Sequence, residues 1–282
     1  MRILSVPRGF RRRALRTAVF AAAAVGGVAP GRLAGQTDFY NTDEARPVRI
    51  EDAYPTERYA FELQFAPLRL ERGSGGVYTW EVEPEVAYGI FPRTHIEVGF
   101  PLALVDAGGE GQREGLAGIS ISALHNLNVE TAFPAFGIAG SVLLPLGGLA
   151  PDETYASVKG IATRTFSWAR FHANAEYTFG SEPGEGDGAG EMSRWMAGLA
   201  VDRTFPLRST LVTADVFVEQ PLDDDADLRW TAEAGLRRQV SPVLAFDAGI
   251  GRRFSGDDQG WFVTLGSAYA FGIRSLIPVR RP

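Results

Sequence analysis

The sequence predicts an all-β chain closing into a single antiparallel transmembrane β-barrel, an up-and-down meander of about twelve strands. Three observations carry that expectation. Apolar and polar residues alternate with a period of two from about residue 58 almost to the end. The connections between the alternating segments are short and long in turn. A leader with the marks of an export signal precedes them.

That leader, residues 1–36, has a positive start (Arg2, Arg8, Arg11, Arg12, Arg13, Arg16), an Ala-rich apolar run over 17–30, and small residues at Ala34 and Gly35 where cleavage would fall. The apolar run is too short to cross a bilayer as a helix, and no run of about 18 apolar residues occurs elsewhere. The 282 residues carry a formal net charge of −6. Without the seven arginines of the leader, 21 bases face 34 acids, a charge of −13. A surface this acidic repels phosphates, so nucleic acid is not an expected partner. The chain has no cysteine, which removes disulfide scaffolds, thiol catalysis and thiolate metal centres. Its histidines are His95, His125 and His172, too few for a His-rich metal centre, and no cofactor or metal is expected.

Four parts follow: a signal peptide over 1–36, a periplasmic lead-in over 37–57 that could also plug the lower mouth, a barrel over 58–273, and a tail over 274–282. Within the barrel, Trp80, Val82, Val86, Tyr88 and Ile90 share one face against Glu81, Glu83 and Glu85. Phe171, Ala173, Ala175 and Tyr177 oppose His172, Asn174 and Glu176, and Trp230, Ala232, Ala234 and Leu236 oppose Glu233 and Arg237. Helices need apolar residues every three to four positions, and these segments lack that spacing. Segments of about 11–13 residues exceed the 9–11 that cross the hydrocarbon at a tilt. The short turns carry Phe91, Phe133, Phe166, Trp168 and Phe205, as an interfacial girdle does. A sheet facing lipid must pair all its backbone groups, so the strands are expected to close into a ring.

Pro67, Pro84, Pro101 and Pro145 stand against this, because each removes a ladder donor. The phase slip after Pro67, which sends Leu68 and Leu70 outward, reads as a bulge. The other fold to weigh is a periplasmic β-sandwich or lipocalin-like barrel with its apolar faces inward. The many Ala and Gly residues on those faces would fill such a core poorly.

With apolar residues outward, the expected lumen lining is Glu62, Glu81, Glu83, Glu85, Glu97, Glu176, Asp202, Asp215, Glu233 and Asp247, joined by Arg229, Arg237 and Arg253. Two readings compete: a transverse field that orders a polar or cationic solute, or a salt-bridged filling that selects nothing. Enzyme chemistry is not expected. The nearest candidate for an outer-membrane lipid hydrolase is His125 with Ser120, Ser122 and Asn126, but the serines fall on the opposite face. Acids in the long loops, as in Asp223–Asp227, follow no fixed ion-binding pattern.

The last segment contains Thr264-x-Gly266-x-x-Tyr269-x-Phe271, which resembles the β-signal read by the outer-membrane assembly machinery, although here residues 272–282 follow the aromatic. Across Arg58–Ile273 the chain resembles outer-membrane transporter-like barrels, including the family named for a meta-pathway of phenol degradation. The resemblance implies a Gram-negative outer membrane, with lipid and lipopolysaccharide around the barrel and passive passage of a small hydrophobic or aromatic solute. A structural or surface-interaction barrel with a closed lumen is the second expectation, and the lipid hydrolase the third.

Overall fold

The computed structural model describes residues 41–73, 78–106, 112–183, 192–204, 208–223, 225–255, 259–273 and 276. The expected signal peptide, the Phe205 turn aromatic and nearly all of the tail lie outside these residues. Among them the chain is all-β, with strand segments β1 (Ala60–Arg72), β2 (Tyr78–Phe91), β3 (Thr94–Gly99), β4 (Leu102–Asp106), β5 (Gln112–Leu116), β6 (Ile119–Asn126), β7 (Ala135–Leu144), β8 (Tyr155–Thr165), β9 (Arg170–Phe179), β10 (Ser193–Arg203), β11 (Thr210–Pro221), β12 (Arg229–Ser241), β13 (Leu244–Arg253) and β14 (Gly260–Gly272).

Every strand pairing is antiparallel; β2 pairs with β4 as well as β3, β3 pairs with β6, and β1 pairs with both β2 and β14, which closes the ring. β3 and β4 both run along β2, one beyond the other, and β5 and β6 continue each other in the same way. The fourteen segments are therefore twelve staves, two of them broken. The breaks fall within 94–105 and 116–129, over each of which the alternation in the sequence predicts a single unbroken strand. The fourth stave also begins earlier, at Gln112, in a stretch whose Arg113 and Glu114 hid it among the loops.

The prolines explain the breaks. β1 bulges between Phe65 and Leu68, and Phe65 faces Pro84 of β2. The next stave breaks at Phe100-Pro101, and the one after at Ala117-Gly118. The irregularities stand side by side and satisfy one another: the Phe100 amide donates to the Pro84 carbonyl at 3.0 Å, and the Ala117 amide to the Pro101 carbonyl at 2.8 Å. Pro145 lies just beyond β7, outside the ladder. Near it, Gly147 has φ +134°, and a Cβ there would lie 2.1 Å from the Leu116 carbonyl oxygen, so only glycine fits.

Alternation sorts side chains between two solvents. Trp80, Ile121, Ile138, Val158, Leu199, Val216, Leu236, Ile250 and Leu265 stand exposed around the outside. Glu62, Asp202, Asp215, Glu233, Arg237 and Asp247 are buried on the inner face. At one rim Tyr269, Phe271, Phe61 and Tyr88 stack in series across β14, β1 and β2, with centroids 6.1, 5.3 and 4.4 Å apart. Two of the residues resembling the assembly signal therefore help to seal the closing seam. A hydrocarbon solvent sets the cost of charging the outer face. Leu236→Arg, near the middle of β12, should destabilise the barrel by about 2–4 kcal/mol in urea titrations in lipid vesicles. An unchanged midpoint would place Leu236 away from lipid.

Candidate functional site

The main feature inside the ring is the chain's own N-terminal segment. Residues 41–57, which the sequence places as a lead-in or a plug at the lower mouth, run within the lumen with Arg46, Val48, Ile50 and Ala53 fully buried. Residues 42–52 form a loop tied at its neck. The Thr42 amide donates to Asp52 Oδ2 at 3.1 Å, and the Asp52 amide donates to the Thr42 carbonyl at 3.0 Å.

The wall holds this segment mainly through its backbone. The amides of Arg49, Ile50, Glu51 and Ala53 donate to Glu233 (2.7 Å), Asp215 (3.0 Å), Asn174 (3.0 Å) and Thr163 (3.0 Å). The carbonyls of Pro47, Glu51 and Ala53 accept from Thr264 (3.2 Å), Asn174 (2.9 Å) and Asn126 (2.9 Å). Further along, the Thr56 amide donates to His95 Nδ1 at 3.1 Å. These partners come from β14, β12, β11, β9, β8, β6 and β3, each presenting an inward side chain from its alternation.

Glycines shape the seat. A Cβ on Gly235 would lie 2.6 Å from Pro47 Cγ, and one on Gly198 2.6 Å from Ile50 Cδ1. Ile50 packs with Met196, Ala200 and Phe217, and Ala53 with Leu124, Ala135 and Ile161. Apolar contact inside the lumen is concentrated where the segment rests on it.

Charge completes the seat. Arg237 binds Asp43 at 2.8 Å, while Arg46 lies 3.4–3.7 Å from Asp43, Glu62 and Asp247. Lys159 gathers Glu44, Glu51 (2.9 Å) and Glu176 (3.6 Å), and Arg49 adds to Glu44 at 2.8 Å. Arg170 bridges Asp52 (3.6 Å) and Asp202 (2.8 Å), and Asp202 also meets His172 Nε2 at 2.8 Å. His172 Nδ1 lies 3.0 Å from Thr163 Oγ1. Thr163, His172 and Asp202 have the order of a nucleophile relay, yet Thr163 is fully buried and its oxygen accepts the Ala53 amide, so the set works as a bracket.

The candidate lumen residues thus divide. Glu62, Arg237 and Asp247 converge on Arg46 and Asp43; Asp215 and Glu233 hold loop amides; Asp202 and Glu176 join the Arg170 and Lys159 clusters. Arg253 pairs with Glu71 at 3.3 Å, and Arg229 stands beside Glu219 in the β11–β12 register. Glu81 faces Arg69 across β1 and β2. Glu83 and Glu97 accept from Ser120 (2.9 Å) and Ser122 (3.2 Å). Among the described residues no ion pair within 4.0 Å reaches Glu83 or Glu85. Sequence reasoning missed Arg46, Arg49 and Arg170, whose partners are set by closure of the ring, and gave the inward Asn174 no role. In the sequence Lys159 and Arg164 fall on opposite faces of one segment; Lys159 points inward, and Arg164, near the end of its strand, donates to the Thr131 carbonyl.

A small recess remains beside the loop, between Glu44 and Glu51 on one side and Glu97, Ser122, Ser157 and Glu176 on the other. The would-be hydrolase set does not form. His125 Nδ1 meets Thr94 Oγ1 at 2.8 Å, while both serines turn to lumenal glutamates.

Burial opposes ionisation of Glu44, but Arg49 and Lys159 outweigh it and hold the carboxyl at about 2. Burial pushes Glu51 up to about 8 despite Lys159, and Asp52 up to about 6 despite Arg170. A seated Glu51 therefore keeps a proton that the free side chain loses near 4.5. The seat weakens as pH rises from about 4.5 to 8 and levels off above that. Asp52 acts in the same direction up to about 6, whereas the Glu44 contribution is lost only as pH falls towards 2. Hydrogen exchange of residues 42–53, corrected for the chemical rate, should show less protection at pH 9 than at pH 6; greater protection at pH 9 would contradict this balance.

No family model matches the chain, and no curated protein matches it. Among solved structures, the COG4313 outer membrane channel from Pseudomonas putida F1 is similar over 78% of this chain and 98% of its own, with TM-score 0.54 and 12% identity. The KdgM porin is similar over 74% and 99%, with TM-score 0.49 and 11% identity. Outer membrane phospholipase A from Escherichia coli gives 77% and 94%, TM-score 0.42 and 9% identity. At these identities the likeness is one of fold, an outer-membrane-type barrel.

Proposed function

We propose that this chain is an outer-membrane channel, exported by residues 1–36, that passes small polar solutes with a preference for cations. One observation carries the reading. Glu81, Glu83 and Glu85 of β2 and Glu97 of β3 form an acidic lane, while the hydrogen bonds and ion pairs of residues 42–53 fall on other staves. The lane leads towards the recess beside the loop, whose lining holds Glu44, Glu51, Glu97 and Glu176 with Lys159 among them. Fixed negative charge along a narrow water-filled path concentrates cations and excludes anions. The resemblance seen in the sequence implies a hydrophobic or aromatic solute; the side chains of this lane suit a polar one.

The lumenal loop supports a second reading, a barrel closed to passage whose role is structural or lies at its surface. Planar-bilayer recordings separate the two: discrete, cation-biased openings support passage, and silence from heat-modifiable, folded protein supports closure. If the channel conducts, replacing Glu81, Glu83 and Glu85 by Gln should lower its cation-to-anion permeability ratio severalfold. An unaltered ratio would remove the acidic lane from the mechanism.

A further inference from the structure

The wall grips the N-terminal segment by atoms that every peptide has. From Pro47 to Thr56 it takes main-chain amides and carbonyls, with Asn174 engaging both the amide and the carbonyl of Glu51. The side chains that it seats are compact and apolar and come every third residue: Pro47 on Gly235, Ile50 on Gly198, and Ala53 beside Gly137. We infer that the inner wall is a peptide-binding groove, filled here by the chain's own residues 47–56 and open to an extended oligopeptide of the same pattern in their place.

Several features distinguish such a groove from a simple brace. A brace would be served by apolar packing, whereas most of the named contacts here are hydrogen bonds from wall side chains to backbone. The donors and acceptors are spread over seven strand segments and follow the segment in order, so they record the path of the main chain, to which Arg49, Glu51 and Asp52 add ion pairs with Glu176, Lys159 and Arg170. The sockets set size: at Gly198 and Gly235 the wall has given up its own side chains to admit those of the segment. The ligand class is therefore a short oligopeptide with a small or aliphatic residue at every third position and free amides between. The ion pairs of Asp43, Glu44 and Arg46 lie before residue 47 and favour the chain's own segment over a competitor.

The test is a titration of a fluorescently labelled peptide, residues 44–56, against the full chain in detergent, read by anisotropy. It is independent of the passage reading, because a barrel that conducts nothing still binds or fails to bind. Ile50→Glu sets a carboxylate in the apolar socket of Met196, Ala200 and Phe217 and leaves the wall intact. This variant should bind the peptide saturably in the micromolar range, with a scrambled peptide at least tenfold weaker. The native chain should bind at least tenfold less tightly, because its tethered segment competes at an effective concentration of about millimolar. A Cβ on Gly137 would lie 3.5 Å from Ala53 Cβ, within reach of a disulfide, and the chain has no other cysteine. Ala53→Cys with Gly137→Cys in the Ile50→Glu background should therefore lose binding when oxidised and recover it when reduced. If Ile50→Glu fails to fold by heat-modifiable gel migration, Arg46→Ala, which also alters only the segment, decides in its place. Absence of saturable binding to the folded variant, equal binding of the scrambled peptide, or binding indifferent to the disulfide overturns the inference.

Discussion

A sheet with hydrocarbon against one face has no water there to complete its ladder, and this constraint orders the rest of the molecule. Each amide and carbonyl must find a neighbouring strand, so β1 meets β14 and the ring closes, with β5 alone among the described strands paired along one side. The alternation that turns Leu199 and Leu236 towards lipid turns Asp202 and Arg237 inward. A ring of this size thus encloses more charge than its staves neutralise where it stands. The N-terminal segment supplies part of the balance, with Arg46 and Arg49 placed against wall acids and Glu44 against Lys159.

How far this was readable in advance depends on the range of each interaction. The staves were legible because alternation is local: Trp80, Glu81, Val82 and Glu83 announce their faces without reference to any partner. The inward set was legible for the same reason. The broken staves were not, since Gln112–Leu116 carries polar residues and pairs only because β4 runs beside it. Pro84 and Pro101 looked like separate objections in the sequence; in space they become neighbours that answer one another. The seat was the least legible part. Arg46 and Asp247 are about two hundred residues apart, and nothing in either neighbourhood names the other.

Glycine acquires a second meaning inside the ring. Gly198 and Gly235 interrupt inward faces that otherwise carry large or charged groups, and in the sequence such positions read as weak strand formers. In the lumen each is a place where another part of the chain comes within contact distance. Gly137, Gly198, Gly235 and Gly249 thus trace the path of residues 47–53 along the wall.

The aligned irregularities have a mechanical consequence. Beyond them, β4 and β5 form a ribbon joined to the ring along β2, with a single described stitch at the far side, where the Leu149 amide meets the Leu116 carbonyl. A ribbon attached along one side can open as a unit while the other staves stay locked.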